Sequence, residues 1–401
     1  MTAVPARTIG SSAPLNPALA GALASPIMTA AGWVAEAPPI PGRPLINLAQ
    51  AAPSDPPPHA LREAMARAAL DDPGAHLYGP VLGDDVLREA IAARWSAIYG
   101  GPVASAEVAV TSGCNQAFCA AVASLAAAGD EVILPNPWYF NHKMWLDMAG
   151  ARAVPLPCGE DCLPDPKRAA ALIGPRTRAI VLVTPNNPTG VEYPPALVDE
   201  FFELCASRGL ALIVDETYRD YLAAEDAPHR LFARGDWEET LIQLYSFSKA
   251  YHLTGHRIGA LVAGRRRVAE IEKFLDTVTI CPARLGQVAA LEGLRSQAEF
   301  VAAERSEFAA RRAALETAFA EGVGGWRLLG AGAYFAFVRH PYDEPAEAAA
   351  KRLVREAGVL ILPGTFFAPP GDEAAERTMR VAFANVAAPA LTEALDRLAA
   401  A

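Results

Sequence analysis

Between about Pro53 and Arg265, short apolar runs alternate with stretches of helical periodicity. This alternation restricts the chain more than any other feature. Six runs read as strands: residues 107–111, 131–135, 178–183, 210–214, 240–245 and 257–262. Residues 87–99 and 197–208 carry apolar side chains at helical spacing between them. Such alternation is the pattern of an α/β fold, with a parallel or mostly parallel sheet covered by helices. Ligands of these sheets bind beyond the carboxyl ends of the strands. Chemically capable residues stand at those ends, in 111–115, Asn187, 215–218 and 246–249.

One strand end is especially informative. The run 241–245 leads into Ser246-Phe247-Ser248-Lys249, with Arg257 eight residues beyond the lysine in Gly255-His256-Arg257-Ile258-Gly259. Most lysines are solvated surface charges. A lysine at the lip of a buried strand is desolvated, which lowers its pKa toward the free amine. A free amine condenses with aldehydes to a Schiff base. Arg257 offers forked hydrogen bonds to a phosphate. An aldehyde carrying a phosphate describes pyridoxal 5'-phosphate (PLP).

The segment SFSKAYHLTGHRIG closely resembles the lysine signature of the fold-type I aminotransferases of classes I and II, and the resemblance extends from about residue 45 to 385. It implies a large PLP-binding domain, residues 53–285, built on a mostly parallel mixed seven-stranded sheet covered by helices. A smaller α+β domain with its interdomain helix would span 286–401. Residues 1–52 would form an N-terminal arm and the start of the small domain. The implied substrates are an L-amino acid and a 2-oxo acid, and the implied assembly is a homodimer with shared active sites.

Further motifs follow in the family's order. Asp215-Glu216-Thr217-Tyr218 closes the run 210–214. A carboxylate at a buried strand end needs a cationic partner; an N-cap Asp followed by a core Tyr is the plain alternative. The resemblance implies that Asp215 pairs with the protonated pyridine nitrogen and that Tyr218 hydrogen-bonds the phenolic oxygen of PLP. Thr184-Pro185-Asn186-Asn187-Pro188-Thr189-Gly190 reads first as a turn. It also matches the family's Asn-Pro-Thr-Gly signature, whose Asn, here Asn187, binds the same oxygen. Val110-Thr111-Ser112-Gly113-Cys114-Asn115 runs from a strand into a helix, where backbone N–H groups and the helix dipole favour an anion. By resemblance Gly113, Cys114 and Asn115 grip the PLP phosphate, with Ser246, Ser248 and Arg257 completing the cup.

Asn136-Pro137-Trp138-Tyr139-Phe140-Asn141-His142 is an aromatic cluster that could serve packing alone. The resemblance implies that Tyr139, with Trp138 as the adjacent alternative, stacks on the pyridine, and that His142 orients Asp215. Tyr78 in His76-Leu77-Tyr78-Gly79-Pro80 resembles the tyrosine that reaches the phosphate of the partner subunit. Arg380 lies in Met379-Arg380-Val381-Ala382-Phe383. An arginine in an apolar strand is costly unless paired, though an edge-strand arginine is an ordinary alternative. The resemblance implies that it binds the substrate α-carboxylate bidentately. The expected catalytic residues are therefore Lys249, Asp215 and Tyr218, and the expected substrate contacts are Arg380, Asn187 and Ala51.

Ala51 marks one departure, since the family usually has a glycine-containing turn where this chain has Gln50-Ala51-Ala52-Pro53. Asp276-Thr277-Val278-Thr279-Ile280-Cys281-Pro282 marks another. Dicarboxylate-specific members carry an arginine near there, so a neutral or aromatic donor is expected, with Arg284 as the nearby exception.

The rest of the chain sets bounds. Residues 1–44 read as an extended arm with a short helix near 28–36. Residues 284–321 have helical spacing broken by Gly286 and Gly293, and strands are expected near 334–338, 358–362 and 378–383. A net charge of −10 with no basic block argues against nucleic acid and anionic membranes. No secretory signal or membrane-length apolar run is evident, so a cytoplasmic protein is expected. The six scattered cysteines read as reduced thiols, and no Cys or His spacing fits a metal. Alternatives on the same residues are a C–S β-lyase, a decarboxylase or a cyclising lyase. A regulatory PLP-binding module would need a basic helix-turn-helix that residues 1–44 do not contain.

Overall fold

A computed structural model describes residues 13–223 and 227–401; the first twelve residues of the expected arm lie outside them. A short strand, β1 (Ile46–Asn47), precedes the central sheet. That sheet has seven strands: β2 (Val108–Thr111), β3 (Glu131–Asn136), β4 (Arg152–Pro157), β5 (Thr177–Val183), β6 (Ala211–Asp215), β7 (Leu241–Ser246) and β8 (Gly259–Ala263). Their spatial order is β2-β8-β7-β6-β5-β3-β4. Strand β8 runs antiparallel to both neighbours, and the other pairs are parallel. The physical reason is the short connection 247–258, which holds no full crossover helix and so returns the chain in the opposite sense.

Alternate residues of the strands feed two separate cores. Val108, Ile180, Leu212 and Tyr245 face one side, while Ala109, Val181, Ile213 and Leu244 face the other. Both faces are covered, so β6 and β7 are buried throughout. Strand β6 is apolar up to Asp215, and Gln243, polar in the middle of β7, accepts from Trp95 and donates to Glu216, each at 2.8 Å. Strand β4 was not expected. It pairs only with β3, alternates exposed and buried residues, and carries Pro155 and Pro157, as an edge strand can.

A second, antiparallel sheet follows: β9 (Arg327–Gly332), β10 (Phe335–Arg339), β12 (Leu362–Pro363) and β13 (Thr378–Ala382), in the order β12-β13-β10-β9, while β11 (Val359–Leu360) pairs with β1 in parallel. The expected strand 358–362 is therefore two strands that join different sheets. Strand β9 escaped the sequence reading because it is glycine-containing and largely half-exposed. Ala30, Trp33, Ile46 and Leu48 pack into the core of this unit. The expected arm helix spans Pro26–Glu36.

Residues 284–321 form two helices, Arg284–Ser296 and Ala298–Glu321, divided at Gln297 and not at the glycines. Gly286 and Gly293 lie inside the first helix because their neighbours leave no room. A Cβ on Gly286 would sit 2.7 Å from Ile258 Cγ1, and one on Gly293 would sit 2.7 Å from Tyr251 Cδ1. Among the described residues no helix is long and apolar enough to cross a membrane, and all six cysteines are free.

Candidate active site

The carboxyl ends of β5, β6 and β7 open onto a cavity of about 170 Å³. Ten of the expected residues line it: Cys114, Asn115, Tyr139, Asn187, Asp215, Tyr218, Ser246, Ser248, Lys249 and Arg257. Short strand-to-helix turns place most of them, which is why they follow apolar runs in the sequence.

Lys249 occupies the short helix Phe247–Ala250, capped by Ser246, whose hydroxyl accepts from the Ser248 N–H. Burial, followed by the charges of Arg257 and Arg380, brings its ammonium group down to about 8. Its Nζ donates to the Ala51 carbonyl at 2.5 Å. Ala51 thus meets the site through its backbone oxygen.

Asp215 is almost fully buried. Burial opposes its ionisation, but hydrogen bonds and charge from His142, with further bonds from Thr217, hold its carboxyl below the ordinary value. The contacts are His142 Nε2 to Oδ2 at 3.2 Å, the Thr217 N–H to Oδ1 at 3.0 Å and Cys114 Sγ to Oδ1 at 3.6 Å. Burial and the adjacent Asp215 in turn raise the Cys114 thiol well above its usual range. His142 stacks on Phe118 with ring centroids 3.8 Å apart and meets Tyr139 edge-on at 5.0 Å. Tyr139 lines the cavity, whereas Trp138 packs into a core and donates its backbone N–H to Phe367.

Gly113 caps the helix Cys114–Ala123 at φ +85°. Any Cβ there would collide with Arg257 Nη2, so the glycine lets the guanidinium lie directly over the turn. Arg257 itself sits at φ +53° and donates to the Thr254 carbonyl at 3.0 Å. A helix N-terminus, two hydroxyls and a guanidinium converge here on one end of the cavity, a donor set suited to an anion.

Arg380 is buried on β13, and burial brings its pKa down to about 10. It remains charged at neutral pH. Its Nη1 donates to Asn187 Oδ1 at 3.0 Å and its Nη2 to the Ala49 carbonyl, while Nε has no partner among the described residues. The rings of Phe335 and Phe367 flank it at 4.9 and 5.0 Å. Since Asn187 Oδ1 accepts from Arg380, the amide Nδ2 is left to donate elsewhere.

Tyr78 is the one expected residue outside this constellation; it is 81% exposed. Arg284 lies against Asp84, Nε to Oδ2 at 3.4 Å, in the space that Gly79 leaves for want of a side chain. The sequence reading gave no part to Val183 and Thr217, which also line the cavity, or to Tyr334, whose ring centroid is 5.9 Å from Lys249 Nζ. Thr217 lay within a quoted motif, whereas Tyr334 had no motif to mark it.

The sequence pattern of the family described as "Aminotransferase class I and II" matches residues 43–398. The chain is 30% identical over 346 residues to an aspartate aminotransferase of Pyrococcus horikoshii, covering 85% of this chain and 86% of that one. It is 32% identical over 312 residues to an arginine–pyruvate transaminase of Pseudomonas aeruginosa, covering 76% and 79%. The structure of aspartate aminotransferase from Thermus thermophilus with maleate superposes with a TM-score of 0.87 at 28% identity, over 97% of this chain and 100% of that one. With the strand-end lysine, the buried carboxylate and the anion cradle around one cavity, the chain belongs to the class I and II aminotransferases, PLP-dependent enzymes that transfer an amino group between amino acids and 2-oxo acids.

Proposed function

We propose that this aminotransferase takes its amino group from a neutral or aromatic L-amino acid, with Lys249 as nucleophile and proton carrier. The observation that carries the reading is the meeting of Lys249, Asp215, Asn187, Tyr218 and Arg257 around one cavity. The donor set fits PLP: a readily deprotonated amine, an ionised carboxylate for a ring nitrogen, and an anion cradle at Gly113, Cys114, Asn115, Ser246, Ser248 and Arg257. When bound, PLP supplies an electrophilic carbon for the amine and a ring that withdraws electrons from the substrate Cα.

The chain's own residues do the rest. Lys249, with its pKa near 8, gives up and regains a proton close to neutral pH, and so serves as base and acid at Cα. Asp215, held ionised by His142, keeps the ring nitrogen protonated. Tyr218 and the Nδ2 of Asn187 would be the donors for the phenolic oxygen, and Tyr139 would hold the ring from the cavity wall. Arg380 presents its fork to the substrate α-carboxylate, a charged acceptor in place of the neutral Asn187 and Ala49 oxygens. Tyr78, exposed in its own chain, would hold the phosphate of a partner subunit, and the working unit would then be a homodimer. Among the described residues, the chain would divide into an arm and start of the small domain (up to 52), a large domain (53–285) and an interdomain helix with the small domain (286–401).

Support for a neutral donor lies in the cations. Lys249 and Arg257 are the Lys and Arg residues lining the cavity among the described residues, Arg380 beside it is assigned to the α-carboxylate, and Arg284 is engaged with Asp84. A second substrate carboxylate would find no further cation among these lining residues. A screen of amino acids against the PLP form, following loss of the yellow colour, tests the half-reaction. The transaminase stops after one half-reaction without a 2-oxo acid; continued turnover would mark a lyase. Comparison of kcat/KM across donors tests the substrate. An aspartate lead of about thirtyfold or more, the worth of a desolvated ion pair, would overturn the neutral-donor reading.

A further inference from the structure

Tyr334 is fully buried in the turn between β9 and β10. Its predecessor Ala333 sits at φ +45°, a left-handed conformation that alanine adopts only when its surroundings impose it. The turn is pressed against the 186–190 turn, since a Cβ on Gly332 would collide with the Gly190 carbonyl. This clamp carries the Tyr334 ring to the reactive lysine. The ring packs 5.3 Å from Tyr218 and meets Phe308 edge-on at 5.0 Å. Its hydroxyl is engaged with that of Tyr221 at 3.3 Å, which leaves the ring itself to face the Lys249 amine at 5.9 Å.

We propose that Tyr334 is a positioning residue for Lys249: its ring, delivered from the small sheet, offers a negative face to the ammonium form and holds it in the pocket. This rests on Lys249 being the reactive amine, but not on the choice of substrate. The ammonium form is opposed by burial and by Arg257 and Arg380. Asp215, Tyr218, Tyr139 and Cys114 line the same cavity, and Tyr221, Glu304 and Arg311 act on the Tyr334 hydroxyl. None of these groups changes when the ring alone is altered.

The test is the pH dependence of Lys249 labelling by trinitrobenzenesulfonate in the protein without PLP, quantified on the Lys249 peptide by mass spectrometry. Loss of the ring face disfavours the charged form, so the half-labelling pH moves down. Tyr334→Leu is expected to lower it by about half a pH unit. Ring-fluorinated phenylalanines at position 334, which keep the shape and weaken the ring face, are expected to lower it stepwise. Tyr334→Phe, which keeps the face and loses the hydroxyl, is expected to match the unaltered protein. If Tyr334→Leu does not fold, the fluorinated series decides. A labelling curve unmoved by fluorination, or a Tyr334→Phe shift as large as that of Tyr334→Leu, overturns the proposal. Failure of the Lys249 assignment would show separately, as borohydride fixing PLP to another lysine.

Discussion

Lys249 is costly to keep charged in the folded chain, because burial and two guanidinium groups depress its pKa to about 8. The unfolded chain binds that proton up to about pH 10.4. Below pH 8 both states hold the proton, and the folded state carries the full penalty. As pH rises from 8 to 10.4 the unfolded state binds more protons, so this contribution to stability improves and the penalty disappears. Lys249→Met in the PLP-free protein should therefore raise stability at pH 7, by up to about 3 kcal/mol at 1.4 kcal/mol per pKa unit. The gain should vanish above pH 10.4. Denaturant titrations of both proteins at pH 7 and pH 10.5 check this; a gain that is the same at both pH values refutes it. Asp215 has the opposite sign. Its carboxyl is depressed, so its stabilisation is present above the unfolded value and fades as pH falls through the lower folded one. Asp215→Asn removes the charge and keeps the shape. It should retain PLP, measured by absorbance, and lose about 10²–10³-fold in kcat, the size of a lost electrostatic contact at the reacting centre. Near-normal turnover would show that Asp215 is not the ring partner.

At the scale of elements, the helix Arg284–Ser296 braces the loop that carries Arg257. A Cβ on Gly286 would sit 2.7 Å from Ile258 Cγ1 and 2.9 Å from the His256 carbonyl oxygen. Gly286→Ala gains about 1 kcal/mol in helix propensity but overpacks two neighbours of Arg257, at a cost of about 1–3 kcal/mol. The crowding wins because one contact is backbone and cannot rotate away. The variant should melt lower and bind PLP more weakly, as thermal unfolding and cofactor titration will report. A higher melting temperature with unchanged affinity would mean that the loop yields freely.

For the whole molecule, the two sheets meet through the functional groups themselves. Arg380 on β13 bonds Asn187, and Lys249 bonds the carbonyl of Ala51 in the segment after β1. The site is thus a seam between the two units. Tyr78 does not line the cavity of its own chain and is 81% exposed. If it completes a partner's phosphate cup, the protein runs as a dimer in solution. Tyr78→Ala should then weaken PLP about tenfold or more, the worth of a hydrogen bond to a charged group. Sedimentation and PLP titration check both points; a monomer with unaltered affinity contradicts them.

The polarity pattern alone recorded six of the seven strands of the central sheet and the strand-end residues. Strands covered on both faces are largely apolar, so the polar residues at their carboxyl ends, Asp215 and Ser246, stand out in the sequence. A lysine, an arginine and two hydroxyls within a dozen residues likewise leave a local signature. Tertiary structure alone decided the rest. Edge strand β4 and strand β9 are partly exposed and lack the apolar signal. Gly286 and Gly293 look like helix breakers until Ile258 and Tyr251 are found against them. The commitment of Arg284 to Asp84, the Ala49 and Ala51 carbonyls on Arg380 and Lys249, and the Tyr334 ring beside Lys249 join residues far apart in the chain. Such contacts have no spacing to read, because they exist only once the two sheets have packed together.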